Sequence, residues 1–138
     1  RDQSKKSVAS LVQAAPSNLF CIETLDYPFD LVEDIPKKFG TSICLDIGHV
    51  LLCGYDLNLY YQKYLDSARI IHLHGIKDGV DHSSISFLKI EVLRDLIERL
   101  SKKPTKKRVL TLEIFSEADF LSSMEVLRFL TERTELKP

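Results

Sequence analysis

Four short apolar runs in this chain each end on a side chain that binds metals: Leu19-Phe20-Cys21-Ile22-Glu23, Ser42-Ile43-Cys44-Leu45-Asp46, Ile70-Ile71-His72-Leu73-His74 and Val109-Leu110-Thr111-Leu112-Glu113. Each run has the length and β-rich composition of a strand buried on both faces. A carboxylate or imidazole at the end of such a strand is costly unless something there uses it. Within each run the ligand type shares a face with the residue two before it, because side chains alternate along a strand. Cys21 goes with Glu23, Cys44 with Asp46, His72 with His74 and Thr111 with Glu113.

The segments between the runs have helical spacing. Val8, Leu11, Val12 and Ala15 fall on one face of a helix over Ser7–Ala15, which Pro16-Ser17-Asn18 ends. A weaker helix over Asp30–Phe39 is interrupted by Pro36 and closed by Gly40. A helix around Leu57–Ser67 carries Leu59, Tyr60, Tyr64 and Leu65, and its tyrosines read as packing. A polar loop is expected over Gly75–Ser86. The strongest helical pattern runs from Phe87 to Ser101, and a last helix from about Asp119 to Arg133 carries Phe120, Met124, Leu127 and Leu130. Strand-helix alternation of this kind means a parallel sheet with helical crossovers, an α/β fold in one domain over residues 1–138. Functional residues of such folds gather at the carboxyl ends of the strands, where all four ligand types lie.

Four βα units are half of an eightfold barrel, which needs about 250 residues to close. The expected architecture is therefore the C-terminal half of a (β/α)8 barrel. The other strands are expected before Arg1, which stands where a complete chain would have Met.

Bulk properties narrow the function classes. The 138 residues are 44% apolar and 28% charged, as in ordinary globular domains. No run approaches the roughly 20 apolar residues that cross a bilayer, and no secretory signal opens the chain, so no membrane partner is expected. A net charge of −1 argues against a broad nucleic-acid surface. The Lys-rich Ser101–Arg108 stretch reads as a solvated helix-to-strand loop. Cys21, Cys44 and Cys53 lack zinc-ribbon spacing, and a reduced, cytoplasmic setting suits them.

Glu23, then Asp46-Ile47-Gly48-His49, then His72-Leu73-His74, then Asp81-His82, then Glu113, each after its strand, resembles the C-terminal half of the xylose isomerase-like barrels. That superfamily includes sugar isomerases and epimerases and the endonuclease IV-type apurinic-site nucleases. Within it, Cys44–His49, His72–Gly75 and Asp81-His82 look most like the cobamide-remodelling phosphodiesterases. The resemblance implies that Glu23, Asp46, His74 and Glu113 hold a divalent metal. His49 would be a second-site ligand or a substrate contact, and His82 a further ligand. His72 and His74 compete for one role, and His74 lies nearer the strand end. Asp81 departs from the nuclease pattern, since it directly precedes His82 and Val80 takes the usual Asp position.

Oxygen ligands with imidazole suit Mn²⁺, Zn²⁺ or Mg²⁺. The leading expectation is a metal-dependent phosphodiester hydrolase with a small-molecule substrate, the nucleotide loop of a cobamide. The alternatives are a sugar or sugar-phosphate isomerase or epimerase, with Glu23 and Glu113 moving a proton, and an apurinic-site nuclease. A non-catalytic half that pairs with the missing half or a second copy through its strand edges is the third class. In every catalytic version Glu23, Glu113 and His49 carry the chemistry.

Overall fold

The computed structural model describes residues 2–102 and 107–135. It is a mixed α/β structure with six helices among the described residues and a four-stranded parallel sheet. The strands are β1 (Cys21–Glu23), β2 (Ser42–Asp46), β3 (Ala68–Leu73) and β6 (Val109–Leu112), ordered β1-β2-β3-β6. Strands β4 (Gly75–Lys77) and β5 (Val80–Ser83) form a separate antiparallel pair. The chain divides into two compact units: Arg1–His72 with Arg108–Leu110, and Leu73–Lys107 with Thr111–Pro138.

In the first unit, α1 (Asp2–Ala14) begins earlier than its apolar stripe suggests. Val8 is buried, whereas Leu11 is half exposed. The expected Asp30–Phe39 helix is two pieces, a 3-10 turn (Phe29–Leu31) and α2 (Asp34–Phe39). Pro36 sits in the first turn of α2, where its missing N–H has no intrahelical partner to lose. Gly40 ends α2 at φ 68°, the left-handed conformation that glycine adopts without strain. Two short helices, α3 (Ile47–Leu52) and α4 (Leu57–Tyr64), are each opened by an aspartate. Asp46 accepts the N–H of His49, and Asp56 that of Leu59. The α4 tyrosines are core: Tyr60, Tyr61 and Tyr64 are buried, and Tyr64 meets Phe29 edge-on at 4.9 Å.

Strand β2 is buried almost throughout. The three residues of β1 and three of the four in β6 are half-buried, and Val109 is exposed. The expectation of burial on both faces thus fails for the outer strands, because a strand at the edge of a sheet is covered less.

In the second unit the expected polar loop is a hairpin. Lys77 pairs with Val80 across the two-residue turn Asp78-Gly79, whose φ values are 53° and 79°. Asp-Gly is the sequence pair that such a turn favours. Gly75 is required by contact: a Cβ there would lie 1.8 Å from the Ser84 carbonyl oxygen. A 3-10 turn (Ile85–Phe87) precedes α5 (Ile90–Ser101), so the helix starts three residues later than its spacing suggests. Leu93 and Leu96 of α5 are buried, as are Ile85 and Leu73.

The last helix, α6 (Glu117–Glu135), turns the expected face inward only in part. Leu130 is buried as expected, but Phe120 and Met124 are exposed and Ser123 is buried. Ser123 Oγ accepts the Ile85 N–H at 3.0 Å and donates to Asp119 O at 2.6 Å, which fixes the helix against the 3-10 turn through a polar contact.

The Lys-rich segment is partly anchored. Residues 103–106 lie outside the described residues, but Arg108 is not solvated: its guanidinium is 7% exposed and donates to Ala68 O and Leu65 O, each at 3.2 Å.

Candidate metal centre and histidine stack

Parallel pairing in the first unit lines up the strand ends. Asp46 is the register partner of His72 across β2 and β3, and Glu23 that of Cys44 across β1 and β2. His72 Nδ1 lies 2.8 Å from Glu23 Oε1 and 3.8 Å from Asp46 Oδ2. One ligand atom from each of these three residues falls within 4.8 Å of the others. Two ligands bound at about 2.0–2.2 Å to one ion stand roughly 2.8–4.4 Å apart. Two carboxylates and an imidazole gathered this closely could hold one divalent cation. The donor set suits Mn²⁺ or Zn²⁺ better than an ion that prefers oxygen alone.

The carboxylates are seated by close neighbours. Thr24, 1% exposed, accepts the Asp46 N–H on Oγ1 at 2.8 Å, and its own N–H donates to Cys44 O. Nothing in the sequence marks Thr24, because a threonine after a strand end is ordinary until its partner is known. Asp46 has no exposed side-chain surface, and its Oδ2 lies 3.2 Å from His49 Nδ1. Cys44 Sγ is 4.0 Å from Glu23 Oε1. Tyr27 donates its hydroxyl to Glu23 O at 3.3 Å. Burial first, and then the charges of Glu23 and Asp26, hold that phenol above its ordinary pKa.

The second unit gathers the remaining candidates. His74 lies just beyond β3 and is fully buried. Its Nδ1 is 3.0 Å from the backbone nitrogen of His82 and 3.2 Å from Gly75 O. A backbone N–H can only donate, so Nδ1 is the acceptor and the proton of the neutral ring is assigned to Nε2. His82 adopts φ 54°, a left-handed conformation uncommon for residues with a side chain. Its Nδ1 is 3.1 Å from Asp81 Oδ1, and its Nε2 is 3.8 Å from Glu113 Oε1. The Glu113 N–H donates to Leu73 O at 3.2 Å. The His82 ring is stacked between His74 and Phe115, with centroids 4.5 Å away on either side.

Of the two competing histidines, His72 is the one packed against Glu23 and Asp46, while His74 supports His82. Position along the strand favours His74. Register places His72, and not His74, opposite Asp46. No protein-family profile, curated protein or solved structure matches the chain.

Proposed function

We propose that the chain carries the metal centre of a divalent-metal-dependent phosphodiester hydrolase, built as the C-terminal half of a xylose isomerase-like (β/α)8 barrel. The observation that carries this reading is the convergence of Glu23 Oε1, Asp46 Oδ2 and His72 Nδ1 at the carboxyl ends of three adjacent parallel strands. A strand order that follows the chain supports the barrel, with β4 and β5 as an insertion after the third strand.

Glu23, Asp46 and His72 would hold the ion, with His49 beside Asp46. A divalent ion there would supply a more acidic bound water and charge to offset phosphoryl oxygens. Asp46 presents one oxygen to His72 and His49 because its other oxygen is fixed by the helix it caps. His82 lies between Asp81 and Glu113, and an imidazole so placed can serve as a general acid or base. The proposed substrate is small, with the nucleotide loop of a cobamide as the narrower suggestion. A cytoplasmic setting agrees with three cysteines in the thiol form, and no described helix is long and apolar enough to cross a membrane.

A sugar isomerase or epimerase is the second reading, favoured by a ligand set compact enough for one ion. The test is Mn²⁺ titration followed by assay on bis(p-nitrophenyl) phosphate, cobamides, abasic DNA and ketoses. We expect Mn²⁺-dependent diester cleavage that falls by about a hundredfold or more in His72→Ala and Glu23→Gln. Ketose turnover without cleavage of any diester would replace the hydrolase with the isomerase.

A further inference from the structure

We propose that Phe115 is a stacking platform for the planar heteroaromatic ring of a ligand, of the class of a nucleotide base. The proposal goes beyond the phosphodiester reading and stands on the second unit alone. His74, His82 and Phe115 form a continuous ring stack in the second unit, with interplanar angles of 19° and 15°. The inner end of the stack is fully buried at His74, and the outer end is open: Phe115 is 77% exposed, against 68% for Leu19 and 62% for Val80. His82 covers one face of the Phe115 ring. An exposed phenyl forgoes most of the stabilisation that its burial would contribute.

The ring is nonetheless held against a well-anchored neighbour. His82 is gripped by the Asp81 and Glu113 carboxylates, and its backbone N–H is fixed on His74 Nδ1. A polar network thereby fixes the ring on which Phe115 stacks, while Phe115 itself stays largely exposed. A further planar ring would continue the stack at the same near-parallel spacing, and base-on-aromatic stacking tolerates any base because every base has a π face. Phe115 lies two residues after Glu113, so such a ring would be bound beside the His82–Glu113 pair. A planar aromatic occupant continues the stack with its whole face, whereas an aliphatic chain has no flat face to match; base-free sugars are the controls.

The chain contains no tryptophan, so Phe115→Trp introduces a single indole reporter. Adenosine monophosphate and cytidine monophosphate are titrated against it, with ribose 5-phosphate and fructose as controls that lack a base. We expect saturable quenching by both nucleotides and none by the controls. In the unlabelled protein, Phe115→Ala and Phe115→Leu should bind adenosine monophosphate about tenfold more weakly or worse, with ribose 5-phosphate binding unchanged. Melting temperatures close to the parent's would show that both variants fold. The proposal is overturned if the nucleotides bind parent and variants equally, if they bind neither, or if fructose shows the same dependence on Phe115. Quenching without diester turnover removes the hydrolase reading and leaves the stacking site.

Discussion

Asp46 Oδ1 accepts the backbone N–H of His49 at 2.9 Å, while Asp46 Oδ2 lies 3.2 Å from Nδ1 of the same residue's ring. One carboxylate thus starts helix α3 with one oxygen and faces the candidate metal centre with the other. The burial of a charged group is offset on both sides, by a helix N-terminus and by imidazoles.

The two duties of Asp46 separate by substitution. Asn keeps an acceptor for the cap but removes the charge, so Asp46→Asn should stay folded and bind Mn²⁺ at least about tenfold more weakly. Asp46→Ala loses both, and the lost cap alone costs about 1 kcal/mol. Thermal melts combined with Mn²⁺ calorimetry distinguish the variants. Unchanged affinity in both would remove Asp46 from the ligand set.

Gly75 and Gly79 should respond differently to alanine. At Gly75 the new Cβ meets Ser84 backbone at 1.8 Å, which no rotamer change relieves. We expect Gly75→Ala to destabilise the protein by more than about 2 kcal/mol, since the hairpin must move. At Gly79 there is open space, and the cost is the left-handed φ of 79°, roughly 1 kcal/mol. Urea denaturation of the two variants measures the order, and equal midpoints would contradict the clash.

Arg108 should behave as a structural residue despite its Lys-rich context. Its planar guanidinium reaches two carbonyl oxygens, Leu65 O and Ala68 O, from a nearly buried position. An ammonium cannot reproduce that fork. Arg108→Lys should therefore lower stability by about 1–2 kcal/mol and Arg108→Ala by more, because buried carbonyls lose their donors. The midpoints of chemical unfolding provide the check.

Tyr64 gives the protein an alkaline limit. Burial first, then the hydrogen bond and charge of Glu33, raise its phenol well above the ordinary 10.0. Its hydroxyl donates to Glu33 Oε2 at 3.0 Å. Because the folded pKa is the higher one, the contribution is fully present below about pH 10. It is lost as pH rises above that value, where the unfolded chain releases the proton first. Melting temperature should fall above about pH 10, and Tyr64→Phe should flatten part of that fall. An unchanged pH profile in the variant would exclude Tyr64 as its source.

Much of the architecture is legible in the residues. The sequence reading of strand β2 has the observed bounds, since an apolar run between Gly40 and Gly48 leaves little freedom. Spacing locates five of the six helices among the described residues, with bounds shifted by a few residues, and misses the short α3. The β4–β5 hairpin escapes the sequence reading although Asp78-Gly79 announces it; the polar flanks of that turn hide the strand pattern. The inward face of α6 keeps Leu130 but departs from the expected one at Phe120 and Met124, because Ser123, a polar residue, makes the contact there.

By itself the sequence determined that ligand side chains end the parallel strands, because alternating apolar runs and helices permit little else. Only the tertiary structure decided which of those side chains meet. Strand register put His72, and not the more terminal His74, against Asp46, and ring stacking gave His74 to His82. Register and stacking depend on pairings between segments far apart in the chain, and local composition carries no record of them.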